Sequence, residues 1–303
     1  MTDSRRAAGV AVRETYVRRF ARVLAHIDAH LDDDLAIETL AEVAGLSRHH
    51  FQRQFRHAFG VAVSRYVQLV RLRRASYQLA FRGQRILEIA LVAGYTSHEA
   101  FTRAFHKQLG QLPSEFRARP DWPHWQQVQD PVSSARSWPA PALGDVAVIA
   151  APRTRLLAMQ HRGDPQALYA TLRRFIAWRR VHRLSPATTA TYNLVYDDPA
   201  SVAPADFRFD LCVASETHPA GDGVVERILP PGRRAHLRHV GSDDGLWRRV
   251  GALYEDWLPS SGEVPDDVPL YLCRRVFFPD VREHEAVTDV YLPLADVVSA
   301  QKA

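Results

Sequence analysis

Cysteine and lysine are nearly absent, with two of each in 303 residues. Cys212 and Cys273 lie far apart, each inside an apolar, strand-like run, so buried free thiols are expected rather than a disulfide or a metal pair. With only Lys107 and Lys302, nearly all cationic contact must come from arginine, whose planar fork suits phosphate and guanine. No apolar run approaches the roughly 18 residues that span a bilayer. The N-terminus, with Asp3, Arg5, Arg6 and Arg13, lacks the apolar core of a signal peptide, which gives cytoplasmic residence as the expectation. There is no glycine-rich phosphate loop and no G-x-S-x-G elbow. His98-Glu99-Ala100-Phe101-Thr102 and His284-Glu285-Ala286-Val287-Thr288 each begin a zinc-protease pattern but lack its second histidine. His236 and His239, three apart on an expected strand, point to opposite faces and cannot share a metal. No catalytic residue, metal or cofactor is therefore assigned.

What is present is unevenly placed charge. Residues 1–120 hold 19 Lys+Arg against 11 Asp+Glu, a net of +8, whereas the remainder has 39 − 19 = 20 against 34 − 11 = 23, a net of −3. A nucleic-acid partner for the first part alone is the direct reading. At 46% hydrophobic content the chain can bury substantial cores, and its length favours two domains.

The basic part carries one motif twice, as Ala44-Gly45-Leu46-Ser47 through Phe55 and as Ala93-Gly94-Tyr95-Thr96-Ser97 through Phe105. Each is an apolar helix ending at a glycine suited to a left-handed turn, then a hydroxyl residue able to N-cap, then a helix with Phe at i and i+4 and an arginine between. That is a duplicated helix-turn-helix. Residues 1–14 are expected to be flexible, and Thr15 to about Leu31 should be helical. A helix from Ser64 to about Phe81 joins the motifs and should measure about 27 Å at 1.5 Å per residue. A rigid spacer of that length, plus the widths of the motifs, can hold two readers about 34 Å apart, in successive major grooves of one DNA face.

Between 120 and 145 the prolines Pro120, Pro123, Pro131, Pro139 and Pro141 read as a linker, with Trp122, Trp125 and Trp138 suggesting that it packs against something. From about 146 the pattern changes to alternation, and it repeats. His161-Arg162-Gly163 recurs as His239-Val240-Gly241, Leu168-Tyr169 as Leu246-Trp247, and Asp210-Leu211 as Asp289-Val290. Each half reads as strand, helix and two strands, packed about a pseudo-twofold axis with a ligand cleft between the halves. The fold class is multidomain: an all-α double helix-turn-helix domain over 1–119, the linker, and an α+β domain of two strand-helix-strand-strand repeats over 146–303.

Over residues 15–119 the chain resembles the DNA-binding domain of the AraC/XylS transcription regulators. The resemblance rests on the two turns, Arg71-Leu72 with Ala75, the Ile86–Tyr95 run and the closing Leu112-Pro113-Ser114-Glu115-Phe116-Arg117. Residues 146–296 look like a GyrI-like effector-binding domain, from Tyr196-Asp197-Asp198-Pro199, Arg238-His239-Val240-Gly241, Tyr254–Pro259 and Tyr291-Leu292-Pro293-Leu294. The domain order is similar to the right-origin-binding type. The resemblance implies double-stranded DNA, a small aromatic or apolar effector and RNA polymerase as partners. It also implies, in many GyrI-like domains, a glutamate in a P-F-E-x-Y stretch. The aligned run here is Pro269-Leu270-Tyr271-Leu272-Cys273, without the carboxylate, which argues against cationic ligands and against hydrolysis.

The expected DNA contacts are Ser47, Arg48, His49, Gln52 and Arg53 in the first motif, and His98, Glu99, Ala100, Thr102 and Arg103 in the second. The resemblance places base reading on His49, Gln52 and Arg53, and on Glu99, Ala100 and Arg103. Arginine can take guanine and glutamine adenine. Ala100 offers only a methyl contact, and Glu99 in a first helical turn can serve the helix dipole or box Thr96 instead of reading a base. The first helix is expected to supply more base specificity than the second. Expected effector contacts are Tyr192, Tyr196, Trp247, Tyr254, Trp257 and Tyr271, whose rings can stack on flat ligands. Two rivals concern the C-terminal domain: a small hydrolase, or a module that binds only protein.

Overall fold

The computed structural model describes residues 2–137 and 143–296, with side chains from Thr15 onward. Trp138, Pro139 and Pro141 of the expected linker fall outside the described residues. The chain divides into two compact units. Met1–Pro141 with Ser242–Gly245 and Arg282–His284 forms one, and Ala142–Gly241 with Leu246–Val281 and Glu285–Ala303 the other.

The first unit is helical. Helix α1 spans Thr2–Ala29, starting well before the apolar periodicity does. Residues 2–14, expected to be flexible, hold Ala7, Ala8, Arg5 and Arg6, which favour helix by intrinsic propensity without any burial pattern. Helices α2 (Ile37–Ala44) and α3 (Arg48–Phe59) form the first motif, α4 (Val63–Phe81) the spacer, and α5 (Ile86–Val92) with α6 (His98–Leu109) the second motif. The spacer's 19 residues give about 28 Å. Gly45 takes φ +62° and Gly94 φ +82°, the left-handed conformation both turns require. Helices α7 (Pro113–Ala118) and α8 (Trp122–Arg136) complete the unit.

Helix α8 occupies most of the stretch that reads as a linker. Trp122, Trp125, Gln129, Val132 and Ala135 form a buried stripe along it, while Asp121 caps it by accepting from the His124 amide at 3.1 Å. An apolar stripe at helical spacing outweighs Pro131 within the helix. Trp122 and Trp125 close a chain of ring contacts from the second motif, Phe101–Phe105, Phe105–Phe116, Phe116–Trp122 and Trp122–Trp125, each at 5.3–5.4 Å between centroids. Val132 and Ala135 belong instead to the core around Phe20, Phe51 and Phe55 of the first motif. Helix α8 thus packs against both halves of this unit.

The second unit is built on one eight-stranded antiparallel sheet. Its elements in chain order are β1 (Ala147–Ala151), β2 (Thr154–Arg162), α9 (Leu168–Val181), β3 (Thr191–Val195), β4 (Arg208–Ala214), β5 (Val225–Leu229), β6 (Gly232–Val240), α10 (Asp243–Ala252), β7 (Leu270–Val276) and β8 (Val287–Pro293). The strand-helix-strand-strand repeat is present as β2-α9-β3-β4 and β6-α10-β7-β8. One further strand precedes each repeat, and it pairs with the opposite half: β1 lies against β6, and β5 against β2.

The strand order β1-β6-β8-β7-β3-β4-β2-β5 maps onto its own reverse when the halves are exchanged. The pseudo-twofold axis therefore passes between β3 and β7, at the pair Asn193↔Leu272. Where a cleft between the halves was expected, they share a continuous ladder. Alternation sends Leu157, Met159, Leu211 and Val213 of one half against α9, and Ala235, Leu237, Leu272 and Val290 of the other into the core that holds Leu246 of α10. The opposite face of the sheet carries neither helix.

Candidate nucleic-acid interface and effector face

In α3, Phe51 and Phe55 are fully buried, which turns Arg48, His49 and Arg53 to solvent and leaves Gln52 partly exposed. Helix α6 repeats the arrangement, with Phe101 and Phe105 inside, His98, Glu99 and Arg103 exposed, and Ala100 and Thr102 partly so. The two helices differ at their N-termini. Ser97 caps α6, accepting from the Ala100 amide at 3.1 Å. Ser47 stands at the equivalent position but its hydroxyl makes no capping bond, so the sequence expectation of two serine caps holds only for the second motif. Glu99 stands in the first turn of α6, where its own backbone amide and the Ser97 hydroxyl lower its carboxyl below the usual range. Arg48 lies 2.7 Å from Glu38 of α2 in an exposed ion pair.

The motifs are tied together through α4. Arg71 donates to the carbonyls of Leu31 (3.0 Å) and Asp33 (2.8 Å) at the end of the α1 segment. Gln108 of α6 donates to Gln68 at 3.2 Å, and Gln68 reaches the Tyr95 hydroxyl at 3.5 Å. One face of the spacer helix thus holds both the turn after α1 and the second motif.

On the helix-free face of the sheet, the register sets Tyr192 and Tyr271 at equivalent positions on either side of the pseudo-twofold axis, with centroids 6.2 Å apart. Tyr291 stacks on Tyr271 at 4.9 Å and 16°. Cys212 and Cys273 flank Tyr192 on the strands to either side, two strand spacings apart (about 9–10 Å), beyond disulfide reach. Both are free and buried, and burial pushes both thiols up.

Two buried aspartates, Asp210 and Asp289, occupy equivalent positions in the two halves. Asp210 accepts from Arg162 at 2.8 Å and from the Tyr196 hydroxyl at 3.0 Å, and Arg227 approaches to 3.4 Å. Asp289 accepts from Arg238 and Arg275, each at 2.8 Å, with His236 Nε2 at 3.2 Å. Burial would raise the Asp289 pKa, yet hydrogen bonds from Arg238 and Arg275, with His236 close by, hold it at about 2.

Residues 145–295 match the GyrI-like small molecule binding domain, and residues 40–119 a helix-turn-helix domain. The chain is 37% identical over 155 residues to the probable transcriptional regulator YgiV of Escherichia coli K12, covering 96% of that protein and 50% of this chain. It is 34% identical over 97 residues to the regulatory protein SoxS of the same organism, covering 91% of that protein and 32% of this chain. The chain belongs to the AraC-type regulators and carries a GyrI-like domain. It is similar also to the right origin-binding protein of Escherichia coli K12, 37% identical over 100 residues, which are 33% of this chain and 35% of that protein.

As an AraC-type regulator with a GyrI-like small-molecule-binding domain, it binds DNA through the helical unit and a small molecule through the sheet unit. Of the six aromatics expected at the effector, Tyr192, Tyr196 and Tyr271 share the helix-free face of the GyrI-like domain. Trp247 and Tyr254 are exposed on and just after α10, and Trp257 packs into the core on the helix side of the sheet, so the six do not form one set. Sequence reasoning used the Asp210/Asp289 correspondence to align the repeats but not to find the two charge clusters. Strand alternation was the available signal, since it sets each aspartate on the same face as the tyrosines.

Among the described residues no helix is long and apolar enough to cross a membrane.

Proposed function

We propose that this regulator reads base sequence mainly with α3, through His49, Gln52 and Arg53, while α6 positions Arg103 on the phosphate backbone. The observation that carries this reading is the contrast at the helix N-termini: the Ser97 hydroxyl caps α6 by accepting from the Ala100 amide, with Glu99 in the same first turn, whereas Ser47 makes no capping bond at the start of α3. Good bidentate base contacts are each worth about 1–3 kcal/mol of discrimination, and arginines around them make binding salt-dependent. Ser47, Arg48, His98, Ala100 and Thr102 complete the two contact surfaces. The test is binding to an operator mutated separately in each half. The first half is expected to lose roughly tenfold more affinity, and a larger loss from the second half overturns the assignment.

The effector is received on the helix-free face, against Tyr192, Tyr196 and Tyr271, and is bound without turnover. Both buried carboxylates there are engaged by arginines, which leaves no free acid or base among them for hydrolysis. This supports a sensor over the hydrolase rival. RNA polymerase remains the partner through which DNA binding acts on transcription, and the cytoplasm is where both would be met.

A further inference from the structure

Arg234 is the largest fully buried side chain of the sheet unit, 1% exposed, and alternation sets it on the helix-free face beside Tyr271. Its guanidinium donates to the backbone carbonyls of Arg233 (2.7 Å) and Pro230 (2.6 Å), and its buried Nε has no partner. Among the described residues no carboxylate pairs with it. The two acids on this face are engaged elsewhere, Asp210 by Arg162 and Arg227, and Asp289 by Arg238 and Arg275. A buried charge lacking a counter-ion is strongly unfavourable unless something anionic joins it. Gly232 is part of this arrangement, because a Cβ there would stand 3.0 Å from the Arg234 Nη1. The Tyr271 hydroxyl is pushed up by burial, and the neighbouring Arg234 acts on it in the opposite sense.

Arginines thus outnumber acids on this face, and the one with no acidic partner sits beside the stacked Tyr271–Tyr291 rings. A cationic ligand would find both carboxylates already occupied and a buried guanidinium next to its ring. We propose that the effector is an aromatic anion, such as an aryl carboxylate, whose charge pairs with Arg234 and whose ring lies against Tyr271. This rests on the reading that the helix-free face is the effector site. Tyr291 is half-buried and covers Tyr271, so entry requires its ring to swing to another rotamer.

The experiment is calorimetric titration of the full chain with three probes sharing one ring system: naphthalene-2-carboxylate, its neutral methyl ester, and a naphthylmethyl-trimethylammonium cation. The carboxylate is expected to bind at least tenfold tighter than either of the others. Arg234→Gln should abolish that preference, and Tyr271→Ala should weaken all binding. Should Arg234→Gln fail to fold, the wild-type ratio still decides the sign, and Arg234→Lys is expected to keep the preference. If the cation binds as tightly as the carboxylate and Tyr271→Ala weakens it, the site stands and the anionic class is overturned. If no probe binds, or if neither Tyr271→Ala nor Arg234→Gln changes binding, the site itself is overturned.

Discussion

A Cβ added to Gly94 would stand 3.1 Å from Nη1 of Arg71, so the turn of the second motif and the side chain that holds the end of the α1 segment occupy adjoining space. Gly45, in the corresponding turn of the first motif, has nothing within 4 Å of its added Cβ. Alanine at either position meets the left-handed backbone penalty of about 1 kcal/mol. Gly94→Ala must in addition shift the Arg71 guanidinium by a few tenths of an ångström, which weakens its bonds to the two carbonyls and adds a loss of up to about 1 kcal/mol. Thermal melts should therefore rank Gly94→Ala below Gly45→Ala, and equal melting points would mean that Arg71 yields without loss. Gly94→Ala should also weaken operator binding more, because Arg71 fixes the turn of the second motif against the segment that follows α1.

The unequal serines give a second comparison. Ser97→Ala removes an N-cap bond and should cost about 1 kcal/mol of stability. Ser47→Ala removes none and should leave the unfolding midpoint nearly unchanged, while lowering DNA affinity if its hydroxyl faces phosphate. Chemical denaturation of both variants checks the first part, and gel-shift titration the second.

Arg48 and Glu38 form a 2.7 Å pair in which both side chains are more than half exposed. Such pairs contribute little, about 0.5 kcal/mol or less. Glu38→Gln should leave stability within that margin but free Arg48 for phosphate. DNA affinity is expected to rise a few-fold at low salt, with a steeper salt dependence. An unchanged salt slope would place Arg48 away from the DNA.

Asp289 titrates at about 2 in the folded chain, below the usual carboxylate value of about 3.9. Its folded pKa is depressed, so its contribution is fully present above about pH 4 and lost as pH falls toward 2. The shift corresponds to about 2 kcal/mol at neutral pH. Asp289→Asn should lower stability by that order at pH 7 and flatten the acid limb between pH 4 and pH 2. A mutant whose acid limb parallels the wild type would show that other groups set it.

Much of this was legible in the sequence because it depends on local period. The duplicated motif announces itself through glycine position and the Phe pairs, and the half-repeat through His161-Arg162-Gly163 and His239-Val240-Gly241. What depends on distant pairing was not legible. The short strands β1 and β5, half-exposed and without clean alternation, are strands because the opposite half supplies their partners. Helix α8 was hidden by its prolines, whose local meaning was overridden by the cores that its tryptophans and Val132 fill. At the proposed effector face, aromatic residues drew attention to Trp247 and Trp257, but the face a ring occupies follows from strand or helix phase. Arg234 gave no signal at all: nothing in the sequence sets it apart from the other arginines, and only its burial on the helix-free face without an acidic partner does so.

The exchange of β1 and β5 between halves makes the duplication indivisible during synthesis. A nascent chain that has emerged only as far as β4 has one edge strand, β1, whose partner β6 does not yet exist, and one strand, β2, awaiting β5. Neither half can complete its ladder first, so the sheet must wait for most of its length to leave the ribosome and then close pairings of high sequence separation, the slow kind. The helical motifs are translated earlier, yet Ser242–Gly245 and Arg282–His284, which complete their unit, leave the ribosome only with the second half of the sheet.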